Sequence, residues 1–259
     1  MEFSKLSSTV TVKTVSEDLQ KGVFEIEGLF SGYGLTVGNS LRRVLLSSLP
    51  GAAVTEVKIK NASHEFSTLP GVKEDLVELS LNFKKLRLKM HTDEPQVLIL
   101  KASGIKTVTA ADIKTNSMVE IINKSEPFAT LTSKDAELEI EIKVERGMGY
   151  LPVEARKDVR QAVGTIAVDA IFAPVLKVNY TNDNMRVGDR TDFNKLRLEI
   201  ETDGTISPSS ALRRAGEILK DHFEIVSAIA AQEFEVPKNK EEEVSEAPKK
   251  KRSKKEKPE

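Results

Sequence analysis

Three glycines between a predicted strand and a predicted helix form a pattern that could bind phosphate. Gly32, Gly34 and Gly38 lie where the amides of a phosphate-binding loop would lie, and a nucleotide-dependent enzyme could use such a loop. The spacing differs from the dinucleotide-binding pattern, which has two residues between its second and third glycines, and no P-loop lysine follows. The pattern favours glycines that permit a tight turn and close packing, with a nucleotide-binding enzyme as the alternative.

The histidines and carboxylates form no recognisable catalytic or metal-binding pattern. His64, His91 and His222 are far apart in sequence and share no spacing to a carboxylate, which argues against a histidine-based triad or a metal site. The chain has no cysteine, which excludes disulfides, thiolate ligands and thiol catalysis. We therefore predict no catalytic residue, no metal and no cofactor in this chain.

Two adjacent arginines, Arg42 and Arg43, lie in a segment with the spacing of an amphipathic helix. Both belong to the polar face of a helix predicted to start at Val37 and to be stopped by Pro50 and Gly51. An exposed arginine is either solvated or bound by a partner, and the pattern alone does not decide between these roles. The apolar positions that recur every three or four residues are Leu41, Val44, Leu45 and Leu49.

Composition limits the class of protein. The chain has 259 residues, of which 39% are hydrophobic, enough for one large domain or two modest ones. The N-terminus lacks the basic start and apolar run of a signal peptide. The longest apolar-rich stretch, residues 162–176, contains Asp169 and is too short to span a membrane. These features predict a soluble, cytoplasmic protein with no membrane contact.

Charge is unevenly distributed along the chain. The net charge is −1, but residues 237–259 contain nine Lys or Arg and six Glu, so this segment carries +3. We predict that residues 234–259 form a disordered Lys/Glu-rich tail. Its basic clusters could make weak, non-specific contacts with DNA phosphates, and a nucleic-acid-binding module that acts through the tail is a further alternative.

Alternating polar and apolar residues predict several β-strands. Leu138–Glu145 alternates without a fault, so one face should be buried and the other charged. A glycine turn is predicted at residues 31–34, and a second turn, at Asp203 and Gly204, should follow the last strand. The other predicted strands are residues 24–29, 54–60, 76–90, 97–100, 119–123, 175–180 and 195–201.

A long helix should be the last ordered element. Ser207 is suited to the N-cap position and Pro208 to the first helical position. The broad apolar face of this helix usually needs a large partner surface, and it predicts a dimer interface. Its main apolar stripe consists of Leu212, Ala215, Leu219, His222, Val226 and Ile229, and Ile218, Phe223 and Ala230 widen it.

Several ordered segments resemble the bacterial RNA polymerase α-subunit family. The most specific is residues 32–55, which contains the Leu-Arg-Arg motif at positions 41–43. The resemblance covers nearly everything from Phe24 to about Ala230. The other matching segments are residues 64–75, 81–84, 146–152, 173–180, 186–196 and 201–206.

The resemblance implies an α+β fold of two modules. Residues 1–50 plus 170–233 would form a strand and helix dimerisation module, and residues 51–169 a β-rich insert domain. Members of the family are subunits of DNA-directed RNA polymerase, which is a nucleotidyltransferase. Its homodimer scaffolds the assembly of the catalytic β and β′ subunits for transcription, so the resemblance implies a non-catalytic subunit.

The resemblance also implies roles for individual residues. Arg43 and Leu46 match family positions that contact the β subunit, and Lys84 and Val168 match positions that contact β′. Together with the apolar pattern of the helices, it predicts a dimer interface formed by Leu41, Leu45, Leu212, Leu219 and Val226.

The chain departs from the family pattern in two places. Met148 stands where the family commonly has arginine, so a contact by that guanidinium is not expected. The charged tail is too short and too polar to form the C-terminal DNA-binding domain that usually follows, so we expect an assembly domain without it.

Overall fold

The computed structural model describes residues 8–62, 64–156 and 164–230. The predicted tail, residues 234–259, lies outside the described residues. The chain divides into two compact units, residues 1–222 and 223–259.

Within the first unit, one antiparallel sheet has four strands in the order β1-β2-β15-β14. Helix α1 and the first part of α3 contribute to its hydrophobic core, which contains Phe24, Leu45, Leu198 and Ala215. These elements come from the two ends of the described chain. Their bounds are β1 Thr11–Glu17, β2 Lys21–Leu29, α1 Tyr33–Ser47, β14 Val175–Val187, β15 Arg190–Thr202 and α3 Pro208–Ala230.

The middle of the chain forms a second sheet, of seven strands. Its main order is β7-β5-β10-β3-β4-β8, and β12 also pairs with β3. The pairs β11-β13 and β6-β9 form two small sheets. The elements are β3 Pro50–Ile59, α2 Leu76–Phe83, β4 Leu88–Met90, β5 Gln96–Ser103, β6 Lys106–Thr109, β7 Ile113–Lys114, β8 Val119–Ile121, β9 Pro127–Leu131, β10 Glu137–Met148, β11 Tyr150–Leu151, β12 Thr165–Ala167 and β13 Ala170–Ile171.

The middle segment has its own large hydrophobic core. This core is built from strands of the seven-stranded sheet, from the small β6-β9 sheet and from α2. With the four-stranded sheet and its helices, this arrangement confirms the predicted α+β class. The predicted alternation in β10 is also confirmed, because Leu138, Ile140, Ile142 and Val144 are buried. On the opposite face, Glu139 lies between Lys60 and Lys101. Hydrogen bonds from these lysines, first from Lys101, lower the pKa of Glu139.

The prediction of one long strand over residues 76–90 was wrong. Residues Leu76–Phe83 form α2, and only Leu88–Met90 form a strand. The Asp75 side chain caps the helix by accepting a hydrogen bond of 2.7 Å from the Glu78 N–H. Leu76, Leu79 and Phe83 follow helical spacing and are almost completely buried. An N-cap and a buried helical stripe therefore outweigh the local resemblance to a strand.

Several element ends also differ from the predictions. Helix α1 begins at Tyr33, inside the predicted turn, and Pro50 and Gly51 start β3 rather than directly ending the helix. Strands β14 and β15 are both longer than predicted, because they pair as far as Val187 and Arg190. The far end of β14 is polar and largely exposed, so it carries little periodic signal.

Two local predictions are confirmed. The Asp203 side chain accepts a hydrogen bond of 2.9 Å from the Thr205 N–H, and Gly204 has a φ of +90°. This is a turn that favours glycine. At the start of α3, Ser207 Oγ accepts from the Ser210 N–H at 3.4 Å.

Candidate subunit interface

The glycine loop before α1 is filled by the protein itself. The N–H groups of Gly32 and Gly34 donate to Asn194 Oδ1 at 2.9 and 3.3 Å. A Cβ on Gly34 would lie 1.8 Å from Asn182 Oδ1, and one on Gly38 would lie 2.9 Å from the Leu196 and Tyr180 side chains. Both glycines allow α1 to pack closely on β14 and β15, which confirms the packing role. Because these N–H groups already donate to Asn194, the loop gives no support to the nucleotide-binding alternative.

Helix α1 has one face in the core and one face in solvent. Leu41 and Leu45 are 7% and 0% exposed and belong to the core of this chain. Leu45 therefore has no exposed surface in this single chain, and its predicted place in the dimer interface stays a prediction. Arg43 is exposed, and Leu46, one turn away, is 36% exposed. No ion pair joins the Arg43 guanidinium to any described side chain.

Lys84 follows α2 and lies beside the loop that contains Val168. Its Nζ is 2.8 Å from Asp169 Oδ2, and the two side chains are 25% and 26% exposed. Asp169 Oδ1 also accepts from the Val153 N–H at 2.9 Å. The hydrogen bond from Lys84 and then the one from Val153 lower the pKa of Asp169. The fold thus forms a half-buried ion pair with a fixed carboxylate.

The Val168 side chain is only 1% exposed and lies in the core of the middle segment. It has almost no exposed surface of its own, and its predicted contact with β′ stays a prediction. The structure does bring Lys84 and the Val168–Asp169 segment together. Arg156 supports this segment, because its Nη atoms donate to Val168 O at 3.1 Å and to Thr55 O at 2.9 Å.

The roles of Asp169 and Arg156 were missed in the sequence. Asp169 carried a signal, because a carboxylate within an apolar stretch needs a hydrogen-bonding or charged partner. Nothing in the local pattern distinguishes Arg156 from an ordinary surface arginine.

Helix α3 has different environments along its length. Leu212 and Leu219 are half-buried against the core of the first unit. In the second unit, Phe223 and Val226 are 64% and 61% exposed, and Ile225, which the apolar stripe did not include, is 65% exposed. Three large exposed apolar side chains within four residues are typical of a surface that binds another protein. The side chains of Ile229 and Ala230 lie outside the described set.

Two further findings concern metal ligands and membrane-spanning helices. The described residues contain no group of three His, Cys, Asp or Glu side chains placed to hold a metal ion. No helix in the described ranges is long and apolar enough to cross a membrane.

Met148, which stands where the family commonly has arginine, lies at the end of β10 and is 64% exposed.

Comparisons with known proteins show the family. A family model described as the RNA polymerase Rpb3/RpoA insert domain matches residues 57–173. The chain is 49% identical over 243 residues to the DNA-directed RNA polymerase subunit alpha of Symbiobacterium thermophilum, covering 93% of this chain and 76% of that protein.

Two other relatives have the same name. The α subunit of Moorella thermoacetica is 50% identical over 208 residues, or 80% of this chain and 66% of that protein. The α subunit of Lawsonia intracellularis is 48% identical over 204 residues, or 79% and 58%. The chain thus spans between 58% and 76% of the length of these relatives. Identity of this level over most of the chain confirms the resemblance, and the chain belongs to the family of bacterial RNA polymerase α subunits.

Proposed function

We propose that this protein is the assembly scaffold of a bacterial, cytoplasmic DNA-directed RNA polymerase. In this proposal two copies form a homodimer, and the dimer then binds the β and β′ subunits, which carry out nucleotidyl transfer. Family membership supports a role within the polymerase. The exposed side chains of α1 and α3 support a role in protein contacts rather than in chemistry.

The two cores support a division into two modules. The four-stranded sheet and its helices come from the two ends of the chain, as expected for a dimerisation module of residues 1–50 plus 170–233. The seven-stranded sheet and its core lie in the middle, as expected for an insert of residues 51–169. The family model, which begins at Val57 and ends at Ala173, favours the same division.

The observation that carries the proposal is the Arg43 and Leu46 pair on α1. The arginine is exposed and has no ion pair with the described residues, and it lies one turn from a partly exposed leucine. An arginine beside an apolar side chain is a common composition for an energetic hot spot, because its guanidinium can bind carboxylates and carbonyls of the partner. We assign this pair to the β subunit.

The second contact, with β′, uses the surface around Lys84. Because Val168 is buried, the accessible groups there are Lys84 and Asp169. Val168 contributes by anchoring the backbone that carries Asp169, through its hydrogen bonds to Thr55 and Arg156. A half-buried ion pair held by the backbone presents its two charges in a fixed geometry, which favours specific recognition.

The dimer contact uses the exposed end of α3, with Leu212 and Leu219 supporting the helix from the core side. Leu41 and Leu45 would act indirectly, because they fix α1 on the sheet. The alternative functions, a nucleotide-binding enzyme at Gly32–Gly38 and a nucleic-acid-binding tail, have no supporting observation in the described residues.

The Arg43→Ala variant tests the proposal. We expect it to fold and to dimerise like the wild type, because Arg43 is exposed, but to bind β more weakly by about 2 kcal/mol or more. The measurement is recovery of β with the affinity-tagged full chain after co-expression. Arg42→Ala is the matched control, since it removes the same charge from a position that instead lines a groove beside β14. Equal recovery of β by both variants would contradict the assignment.

A further inference from the structure

A cavity of about 450 Å³ in the first unit is not used by any of the proposed subunit contacts. It lies where the edges of β3, β4 and β10 meet the beginning of α3. The lining combines basic, hydroxyl and apolar side chains. A volume of this size suits a small ligand.

Five basic side chains converge on this cavity. Lys89 and His91 come from β4 and the residue after it, Arg146 from β10, and Arg213 and Arg214 from α3. Among the residues that the structure describes, no carboxylate lines the cavity. Four of the basic side chains, the lysine and the three arginines, are positively charged, and collecting these like charges from three separate elements costs free energy unless an anion compensates them.

The carboxylates near these groups compensate them only in part. Arg146 Nη1 lies 2.5 Å from Asp93, and Arg213 lies 3.8 Å from Glu217 in a pair that is mostly exposed. An exposed pair of this kind contributes little free energy. Within the described ranges, Lys89 and Arg214 form no ion pair, although Glu120 is the cross-strand neighbour of Lys89.

The hydroxyl groups add hydrogen-bond donors to the positive charge. Ser207 donates to Ser210 Oγ at 2.8 Å, which leaves the Ser210 hydroxyl proton available to a ligand. Two backbone amides at the start of α3 already have acceptors within the chain. The Ser209 N–H already donates to Glu17 at 2.9 Å, and the Ser210 N–H donates to Ser207.

The lining also contains apolar side chains. Pro50, Met90, Pro174 and Ile206 line the cavity together with the charged groups. A phosphate chain would satisfy the cations, and a flat, weakly polar group such as a nucleobase would cover the apolar side chains. We propose that this cavity binds a small polyphosphate ligand of the nucleoside polyphosphate class.

The test compares two pairs of substitutions in the full-length chain. Lys89→Gln with Arg214→Gln removes the two cations that lack an ion pair, and both side chains are exposed, so the core is unchanged. Lys124→Gln with Lys134→Gln removes the same charge from exposed positions outside the cavity. Inorganic tripolyphosphate, ATP and a short DNA duplex are titrated calorimetrically against each protein. Circular dichroism melting checks that each variant is folded.

We expect tripolyphosphate and ATP to bind the wild type, and the cavity variant to lose about tenfold or more in affinity. The control variant should change little. Tighter binding of ATP than of tripolyphosphate would show that the base contacts the apolar side chains of the lining. If the paired cavity variant does not fold, Arg214→Gln alone is compared with Lys134→Gln.

Three outcomes would overturn the proposal. The first is no binding of either small polyphosphate by the wild type. The second is an equal loss of affinity in the cavity and control variants, which would show general electrostatic attraction. The third is a response of duplex DNA alone, which would assign the cations to a nucleic-acid backbone.

Discussion

The exposed apolar end of α3 makes a quantitative prediction about dimer formation. Phe223 and Val226 lie within one turn of each other and expose 64% and 61% of their surface. We propose that a second copy of the chain covers them. Replacing both by serine removes this apolar area, and the helix propensities of phenylalanine, valine and serine are similar, so the helix itself should persist.

The magnitude follows from the exposed fractions. Complete burial of a valine or phenylalanine side chain stabilises by about 1.5–3 kcal/mol, so burial of the exposed part gives roughly 1–2 kcal/mol for each residue. A two-fold symmetric dimer uses each residue twice. Phe223 and Val226 together then contribute roughly 4–8 kcal/mol, and their loss should raise the dimer Kd by about three to six orders of magnitude.

Analytical ultracentrifugation over a concentration series measures this Kd. The wild type should remain dimeric at the concentrations where the Phe223→Ser and Val226→Ser double variant is monomeric. Asp221→Ser is the matched control, because it places serine at an exposed polar position of the same helix. A double variant that dimerises as tightly as the control would refute the reasoning and remove this part of α3 from the interface.

Two further predictions concern the middle of the chain. Leu79→Ala should destabilise folding by about 2–5 kcal/mol because Leu79 is fully buried, whereas Leu81→Ala at a half-exposed position should cost much less, and urea unfolding compares them. The hydrogen bond from Lys84 lowers the pKa of Asp169. The stability that this carboxylate contributes is therefore present above its pKa in the unfolded chain and is lost as pH falls through the lower folded pKa. Asp169→Asn should therefore reduce the loss of Tm between neutral and acidic pH, and an unchanged Tm profile would contradict this.

The sequence was most informative where one physical signal acted alone. The alternation of β10 and the capping serine of α3 were predicted correctly, because each depends on nearby residues. Residues 76–90 were assigned wrongly, since their leucines fit a strand until the Asp75 cap is taken into account. The burial of Leu45 and Val168 required the tertiary structure, because an apolar residue in an interface and one in a core look alike in sequence. The basic cavity unites residues more than one hundred positions apart, so no local pattern indicates it.

A symmetric dimer with two different partners poses a problem of equivalence. Each protomer has its own Arg43 surface and its own Lys84 surface, and we propose that one protomer binds β while the other binds β′. Binding of one large subunit must then make the two protomers unequal. The Arg43 of the protomer at β′ and the Lys84 of the protomer at β would not be needed for assembly.

This asymmetry predicts that assembly depends on how two substitutions are distributed between the protomers. The two heterodimers compared carry the same two substitutions and differ only in this distribution. A heterodimer with Arg43→Ala on one protomer and Lys84→Ala on its partner keeps one intact surface of each kind in the required arrangement, so it should assemble with β and β′. A heterodimer with both substitutions on one protomer and none on its partner should not, because the wild-type protomer can serve only one large subunit. Dimers with a different affinity tag on each protomer, purified through both tags, allow this comparison by recovery of β and β′. Equal recovery by the two arrangements would refute the unequal use of the protomers, even if Arg43 and Lys84 both prove to be contact residues.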